Sequence, residues 1–277
     1  MGVHKQLKLD LDRLSDIILI LFLGGVCLIF ILFISLPLVA VFLNLDLNKV
    51  LMQMKNPQIV SALTVGLVTS FLATLTSFVF GVPTAYLLAT RKFPGRALID
   101  TILDVPIVLP PAVAGVALLL VFAPRGLLGP MLRESGIILP GSTVAVIIAQ
   151  VFVASPFLLR SAKTAFESID RTLIDSAKIL NPSRLRVFVT VTLPLATHGL
   201  LAGTIMTWAR SMGEFGATLM FAGNLPGVTQ TMPLAIYMLL AEDPLASNVL
   251  SAILVAVSFS VLALFRLLGR RRYGARL

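Results

Sequence analysis

The chain has 277 residues, of which 57% are hydrophobic and 13% are charged, and its 22 Lys and Arg against 13 Asp and Glu give a net charge of +9. A soluble domain spends about a quarter of its residues on charge, and a basic nucleic-acid-binding protein places its cations on a polar surface. The mean hydropathy of +0.99 indicates instead an integral membrane protein, with lipid and not nucleic acid as its surroundings.

Several kinds of chemistry lack the residues that they need. Cys27 is the only cysteine, and His4 and His198 are the only histidines. The sequence contains no P-loop, dinucleotide-binding or zinc-protease motif, and no nucleophile, base and metal set can be assembled. We therefore expect no catalytic residue, metal site or cofactor in this chain. Any energy from ATP would have to come from another chain.

Long apolar segments predict an all-α integral membrane protein with six transmembrane helices. The first segment is too long for the core of a signal peptide, which indicates an uncleaved span. The third contains Pro106, Pro110 and Pro111, and backbone broken by proline must be buried in protein or line a cavity. The predicted spans are 17–45, 58–90, 97–123, 142–159, 193–223 and 246–268.

The distribution of basic residues predicts the orientation. Seventeen of the 22 Lys and Arg fall on the side shared by both chain ends, four fall on the other side, and Arg210 lies within the fifth span. By the positive-inside rule both termini are expected to be cytoplasmic. Residues 1–16 are then a cytoplasmic tail, 58–268 a core of five helices that follows the first, and 269–277 a basic cytoplasmic tail.

The segment 166–192 is the one sizeable polar insertion on the predicted cytoplasmic side. Its apolar residues recur at helical spacing, at Ile169, Leu173, Ala177 and Leu180. Asn181 and Pro182 are typical of a turn into a second helix, which carries Arg184. Two interpretations are open: a helix pair lying on lipid headgroups, or an amphipathic helix docked into a groove of a cytoplasmic partner.

The same segment resembles the EAA loop of ABC importer permeases, whose pattern is EAA, three residues, G, nine residues, I, one residue and LP. The matching positions are Asp175, Ser176, Ala177, Asn181, Val191, Leu193 and Pro194. Asp, Ser, Asn and Val depart from the pattern but keep its acid, small, turn-forming and β-branched character. The resemblance implies a coupling helix that sits in a cleft of an ATPase subunit. The implied coupling residues are Ile169, Asp170, Leu173, Asp175, Ser176, Ala177, Leu180, Asn181, Pro182 and Arg184.

Within the fifth predicted span, Arg210 and Glu214 are four residues apart and can pair on one helix face. Ionisable residues inside a membrane usually face a protein interior or a water path, so a structural ion pair and a pore or gate role are both open. Gly213 and Gly216 flank Glu214 and allow close helix approach. For Pro110 and Pro111, a packing bend and a pore-lining role are equally open.

The run from Gly213 to Tyr237 contains GEFGATLMFAGN, PG, TQT and PLAIY. In this combination it closely resembles the molybdate/tungstate branch of ABC permeases, while sulfate permeases share the GEFG start and diverge at ATLMF and TQT. The LPP at Leu109 to Pro111 and the RKFPG at Arg91 to Gly95 resemble the same branch. Periodicity itself predicts that a helix ends in a Gly, Asn and Pro turn on the external side, with Asn224 in the turn and Thr229, Gln230 and Thr231 leading back into an apolar stretch.

This resemblance implies a type I ABC importer permease fold in a prokaryotic cell membrane. It implies a homodimer, two ATPase subunits that hold ATP and Mg, and an external oxyanion-binding protein that delivers molybdate or tungstate. A sulfate or thiosulfate ABC permease is an alternative. A stand-alone secondary carrier or channel is an alternative of another class, with Arg210 and Glu214 as an ion site.

Overall fold

A computed structural model describes residues 2–43, 45, 47–180 and 183–273, with side chains described at 16–43, 45, 48, 50–177, 179 and 183–263. Asn181 and Pro182, the predicted turn after the coupling helix, lie outside the described residues, as does the side chain of Leu180. The described part of the chain is helical, joined by turns.

The helices follow one another with short connections. In chain order they are α1 (Gly2–Leu43), α2 (Leu47–Gln53), α3 (Pro57–Thr90), α4 (Arg96–Val108), α5 (Pro111–Phe122), α6 (Gly129–Glu134), α7 (Thr143–Glu167), α8 (Arg171–Leu180), α9 (Arg184–Val187), α10 (Leu193–Leu195), α11 (Thr197–Met212), α12 (Gly216–Ala222), α13 (Met232–Glu242) and α14 (Pro244–Tyr273). A π-helical turn, Phe188–Thr192, connects α9 to α10.

The chain divides into two compact units, 1–50 and 51–277. The first unit contains α1, whose segment Asp16–Leu43 is long and apolar enough to cross a bilayer. The helix begins at Gly2, so the predicted boundary between a tail ending at residue 16 and a span beginning at 17 is not a helix end. The charged residues before this boundary limit the apolar segment, but the helix itself continues through them.

The second unit is built around α3, α7 and α11, which bury small and apolar side chains against one another. On α7, Ala154, Leu158 and Ala162 are fully buried. The Thr207 hydroxyl of α11 donates a hydrogen bond of 3.3 Å to the Ala154 carbonyl oxygen of α7. Small residues let helix backbones approach closely where lipid supplies no hydrophobic drive between helices.

Among the described residues, four helices are long and apolar enough to cross a membrane, and two bent pairs bring the number to six. The predicted third span, 97–123, corresponds to one of these pairs, in which the chain bends by 118° between α4 and α5. Consecutive prolines explain the break, since Pro110 and Pro111 lack backbone N–H groups and Pro111 begins α5. The other pair is Arg184–Leu195 with Thr197–Met212, bent by 72°.

Three ion pairs join α4 to the C-terminal part of α7. The shortest N to O distances are 2.8 Å for Arg96 with Glu167, 2.7 Å for Lys163 with Asp100 and 2.7 Å for Arg160 with Asp104. The α4 partners recur every four residues, so all three lie on one face of that helix. This ladder fixes α4 along the end of α7 from which the coupling loop departs.

Helix α5 packs on α12 at unusually close range. A Cβ atom added at Gly115 would lie 2.6 Å from the Met220 Cβ and 2.8 Å from the Ala217 carbonyl oxygen. Glycine is therefore required there by space. The buried residues around this contact include Ala114, Leu118, Val153 and Phe221.

We expect Gly115→Ala to lower the free energy of unfolding by about 1–3 kcal/mol, because the added methyl group overpacks the contact between α5 and α12. Gly81→Ala is the matched control, since its new Cβ would meet Leu158 at an ordinary 3.6 Å and alanine favours the helix. Thermal unfolding of the purified proteins in detergent compares the two. Equal melting temperatures would contradict the close packing.

Candidate functional site

Arg210 and Glu214 form an ion pair inside the helical unit, as their spacing predicts. Arg210 Nη1 lies 2.6 Å from Glu214 Oε2, and 28% of the Arg210 side chain is exposed against 1% for Glu214. The other carboxylate oxygen, Glu214 Oε1, accepts a 2.8 Å hydrogen bond from the Ala217 backbone N–H. The buried carboxylate is thus held by one cation and one backbone donor.

The local sequence explains why Glu214 sits where it does. Helix α11 ends at Met212 and α12 begins at Gly216, so Glu214 lies in the break between two helices. The first N–H groups of a helix have no partner within the helix, and the Glu214 carboxylate satisfies one of them. Gly213 caps α11, with its N–H donated to the Ala209 carbonyl oxygen at 3.1 Å.

The break in the fifth predicted span meets the break in the third. A Cβ atom added at Gly216 would lie 2.9 Å from the Pro111 Cβ and 3.2 Å from the Ala112 backbone nitrogen. Pro110 directly precedes α5 and has extended backbone with ψ of 133°. The structure therefore brings the predicted pore or gate residues together in two contacts, Arg210 with Glu214 and Gly216 with Pro111.

The predicted coupling loop begins with a helix cap. Asp170 Oδ1 accepts a 2.9 Å hydrogen bond from the Thr172 backbone N–H just before α8. This bond, followed by one from the Thr172 side chain, holds the pKa of Asp170 below its ordinary value. Asp170 therefore has a structural role in starting α8, because a carboxylate satisfies a free donor of the first turn.

The predicted apolar stripe of the coupling loop divides in the structure. Ile169 packs against the cluster formed around Phe166 and Leu200. Leu173 is 51% exposed, and Ala177 is half-buried while Ser176 and Asp175 are exposed. The first residue of the stripe therefore anchors the loop to the bundle, while Leu173 remains accessible.

Sequence reasoning missed two exposed apolar side chains and one buried polar one. Ile179 is 85% exposed and Leu185 is 73% exposed. Ile179 lies outside the apolar stripe of the predicted helix. An isoleucine at a position expected to be polar is the sequence signal that could have identified this exposed side chain. Gln150 is 1% exposed within α7, where an amide in an apolar span is a comparable signal.

The four residues assigned to the external loop are mostly buried. Thr229, Gln230 and Thr231 are 0%, 2% and 1% exposed, and Asn224 is half-buried. Thr229 Oγ1 accepts a 2.8 Å hydrogen bond from the Leu225 backbone N–H. Gln230 Oε1 accepts one of 3.2 Å from Gln58 Nε2 of α3. Thr229 therefore closes the turn between α12 and α13, and Gln230 ties this turn to α3.

The apolar helices, their two bent pairs and the amphipathic helix outside them define a multi-pass membrane transport subunit. Residues 77–273 match the family described as the binding-protein-dependent transport system inner membrane component. The chain therefore belongs to that family, whose members are the membrane subunits of ABC importers. This confirms the family and the all-α importer fold expected from the EAA-like segment.

The chain is similar to the molybdenum transport system permease protein ModB of Mycobacterium tuberculosis, with 40% identity over 230 residues that cover 82% of this chain and 86% of that one. It is 34% identical to the sulfate transport system permease protein CysT of Salmonella typhimurium over 257 residues, 87% of this chain and 93% of that one. A crystal structure of a bacterial alginate ABC transporter matches with a TM-score of 0.76 and 17% identity, covering 95% of this chain and 99% of that one. This last likeness supports the fold.

We expect Arg210→Met to lower the free energy of unfolding by about 3 kcal/mol, because it leaves the Glu214 carboxylate buried without its cation. Adding Glu214→Gln should recover more than half of that loss, since the amide oxygen can still accept the Ala217 N–H and carries no charge. Unfolding by denaturant titration in detergent compares the single and double variants. If the double variant is no more stable than Arg210→Met, the unpaired carboxylate is not the source of the loss.

Proposed function

We propose that this chain is the translocation subunit of an ATP-driven importer for molybdate or tungstate. The observation that carries the proposal is that α8 and α9 leave three apolar side chains exposed in the segment that matches the coupling-helix pattern. They are Leu173 on the apolar stripe of α8, Ile179 off that stripe and Leu185 of α9, each more than half exposed. An amphipathic helix of this kind is suited to a hydrophobic groove on a partner protein.

The partner that fits this surface is an ATPase subunit that holds ATP and Mg, because the chain itself has no phosphate-binding loop. Helix α8 starts at the Asp170 cap and is anchored by Ile169, so its position is tied to the bundle while its apolar residues face outward. Movement of the partner would then be passed through α8 to the helices of the span.

One chain supplies too few spans to enclose a pathway, so two copies related by a two-fold axis would form it, with an ATPase subunit on each. ATP binding would close the ATPase pair and turn the pathway outward, and an external binding protein would release its anion into it. Hydrolysis would return the pathway inward. The breaks at Pro110, Pro111, Gly213 and Gly216 provide the places where the spans can bend.

The cargo assignment rests on the relatives and on the GEFGATLMFAGN, TQT and PLAIY run. Molybdate and tungstate are tetrahedral dianions, as sulfate is, and Arg210 is a cation inside the span with 28% of its side chain exposed. Few charges along the spans favour a route that binds its cargo weakly enough to release it. Selectivity would then lie mainly with the external binding protein. A sulfate permease is the second candidate, favoured by the CysT similarity.

We expect Ile179→Glu to reduce ATP-driven uptake more than tenfold, because a carboxylate at this exposed apolar position of α8 must be desolvated if the ATPase subunit encloses the helix. Leu127→Glu is the matched control, as Leu127 is 81% exposed against 85% for Ile179 and lies in the turn after α5. Uptake into cells and the amount of chain in the membrane are measured together. Normal uptake by Ile179→Glu would contradict the docking assignment.

For the cargo, we expect cells that depend on this transporter to take up labelled molybdate, with competition by tungstate at similar concentrations and by sulfate only at much higher ones. Equal competition by sulfate would favour the sulfate permease. Uptake by vesicles that contain this chain without any ATPase subunit would instead favour a stand-alone carrier or channel.

A further inference from the structure

A cavity of about 520 Å³ lies between the C-terminal ends of α3 and α7 and the start of the coupling loop. Three parts of the chain contribute charged residues to it: the turn between α3 and α4, the end of α7, and the coupling loop. These residues are Arg91, Arg96, Glu167, Arg171, Asp175 and Arg184. Arginine thus outnumbers carboxylate four to two in its lining.

One side of the cavity is aromatic and firmly packed. Tyr86 and Phe166 both line it, and their ring centroids are 5.4 Å apart in an edge-to-face arrangement. Phe188 contacts Tyr86 with a centroid distance of 4.6 Å. This packing gives the cavity a rigid apolar wall opposite its charged rim.

The two carboxylates in the lining are too few to balance its four arginines. Glu167 is engaged by Arg96 at 2.8 Å, and Asp175 has an interaction of its own. Within the part of the chain that the structure describes, no carboxylate lies within ion-pair distance of Arg91, Arg171 or Arg184. The cavity lining therefore carries a surplus of two positive charges, and the three arginines other than Arg96 come from two separate segments.

We propose that this cavity binds a tetrahedral oxyanion of the phosphate type, either free in solution or as the phosphate of an anionic lipid headgroup. Guanidinium groups present paired donors that match the oxygens of a phosphate. Arg91 approaches from the turn between α3 and α4, while Arg171 and Arg184 approach from the coupling loop. An anion placed between them offsets their mutual repulsion.

The bound anion joins the coupling loop to the bundle. Arg96 is held by Glu167 and belongs to the same ladder as Asp100 with Lys163, so the turn between α3 and α4 is a fixed support. Arg171 is the first residue of α8, and Arg184 is the first residue of α9, which follows it. An anion bound in the cavity would hold α8 in place. Any effect of this restraint on ATP-driven transport rests on the proposed function, whereas anion binding itself does not depend on it.

Anion binding is tested on the purified full-length chain, and the test needs no measurement of transport. Sodium phosphate should raise the melting temperature of the wild-type protein in detergent saturably, by about 2–4 °C above sodium chloride at equal ionic strength, and should slow amide exchange at 171–180. Arg171→Gln with Arg184→Gln should reduce both effects to less than a fifth. Arg125→Gln with Arg133→Gln removes two exposed arginines outside the cavity and should leave them unchanged.

A second arm compares nanodiscs of phosphatidylglycerol with nanodiscs of phosphatidylcholine. Stabilisation by phosphatidylglycerol that the cavity double variant loses, with no further gain from added phosphate, identifies a lipid headgroup as the occupant. Stabilisation by phosphate in either lipid identifies a free anion. The site is overturned if neither phosphate nor phosphatidylglycerol distinguishes the wild type from the cavity variant, or if the control pair loses the effect equally. Because no outcome uses uptake, failure here leaves the transport proposal untouched.

Discussion

A single buried carboxylate, Glu214, constrains the centre of this membrane subunit. An ionised carboxylate is costly inside an apolar helical bundle unless a cation and hydrogen-bond donors surround it. Arg210 supplies the cation and the first turn of α12 supplies a donor. Both conditions are met only if α11 stops and α12 starts afresh at this point. The same break leaves Gly216 free to contact Pro111, so two interrupted spans are joined through one electrostatic requirement.

A second group of charged residues forms ion pairs between α4 and the C-terminal part of α7. The three ion pairs between α4 and α7 are a quarter or more exposed, so solvent screens them and each contributes little by itself. Their repeated spacing nevertheless fixes the register of α4 beside α7. The predicted coupling loop therefore leaves the bundle beside these ion pairs, with Ile169 as its apolar anchor and Asp170 as the cap of α8.

Much of this architecture is readable in the sequence because apolar length and proline position report directly on spans and breaks. Arg210 and Glu214 pair as their helical spacing predicts. The 118° turn between α4 and α5 was not predictable, because Pro110 and Pro111 mark a break while packing against Gly216 determines its angle. Likewise, Gln230 looks like a loop residue, and its hydrogen bond to Gln58 of α3, 172 residues away, is not visible in the sequence pattern. Asp100 and Asp104 gained their roles from α7, far away in sequence.

The bent connection between the coupling loop and α11 has a mechanical consequence. From Arg184 the chain continues helically through the π-helical turn to Leu195, and this segment meets α11 at 72°. A displacement along the axis of Arg184–Leu195 therefore has its larger component perpendicular to the axis of α11. A push along Arg184–Leu195 would therefore tilt α11 sideways more than it would slide α11 along its own axis. Arg210 lies near the opposite end of α11, and Glu214 lies just beyond that end.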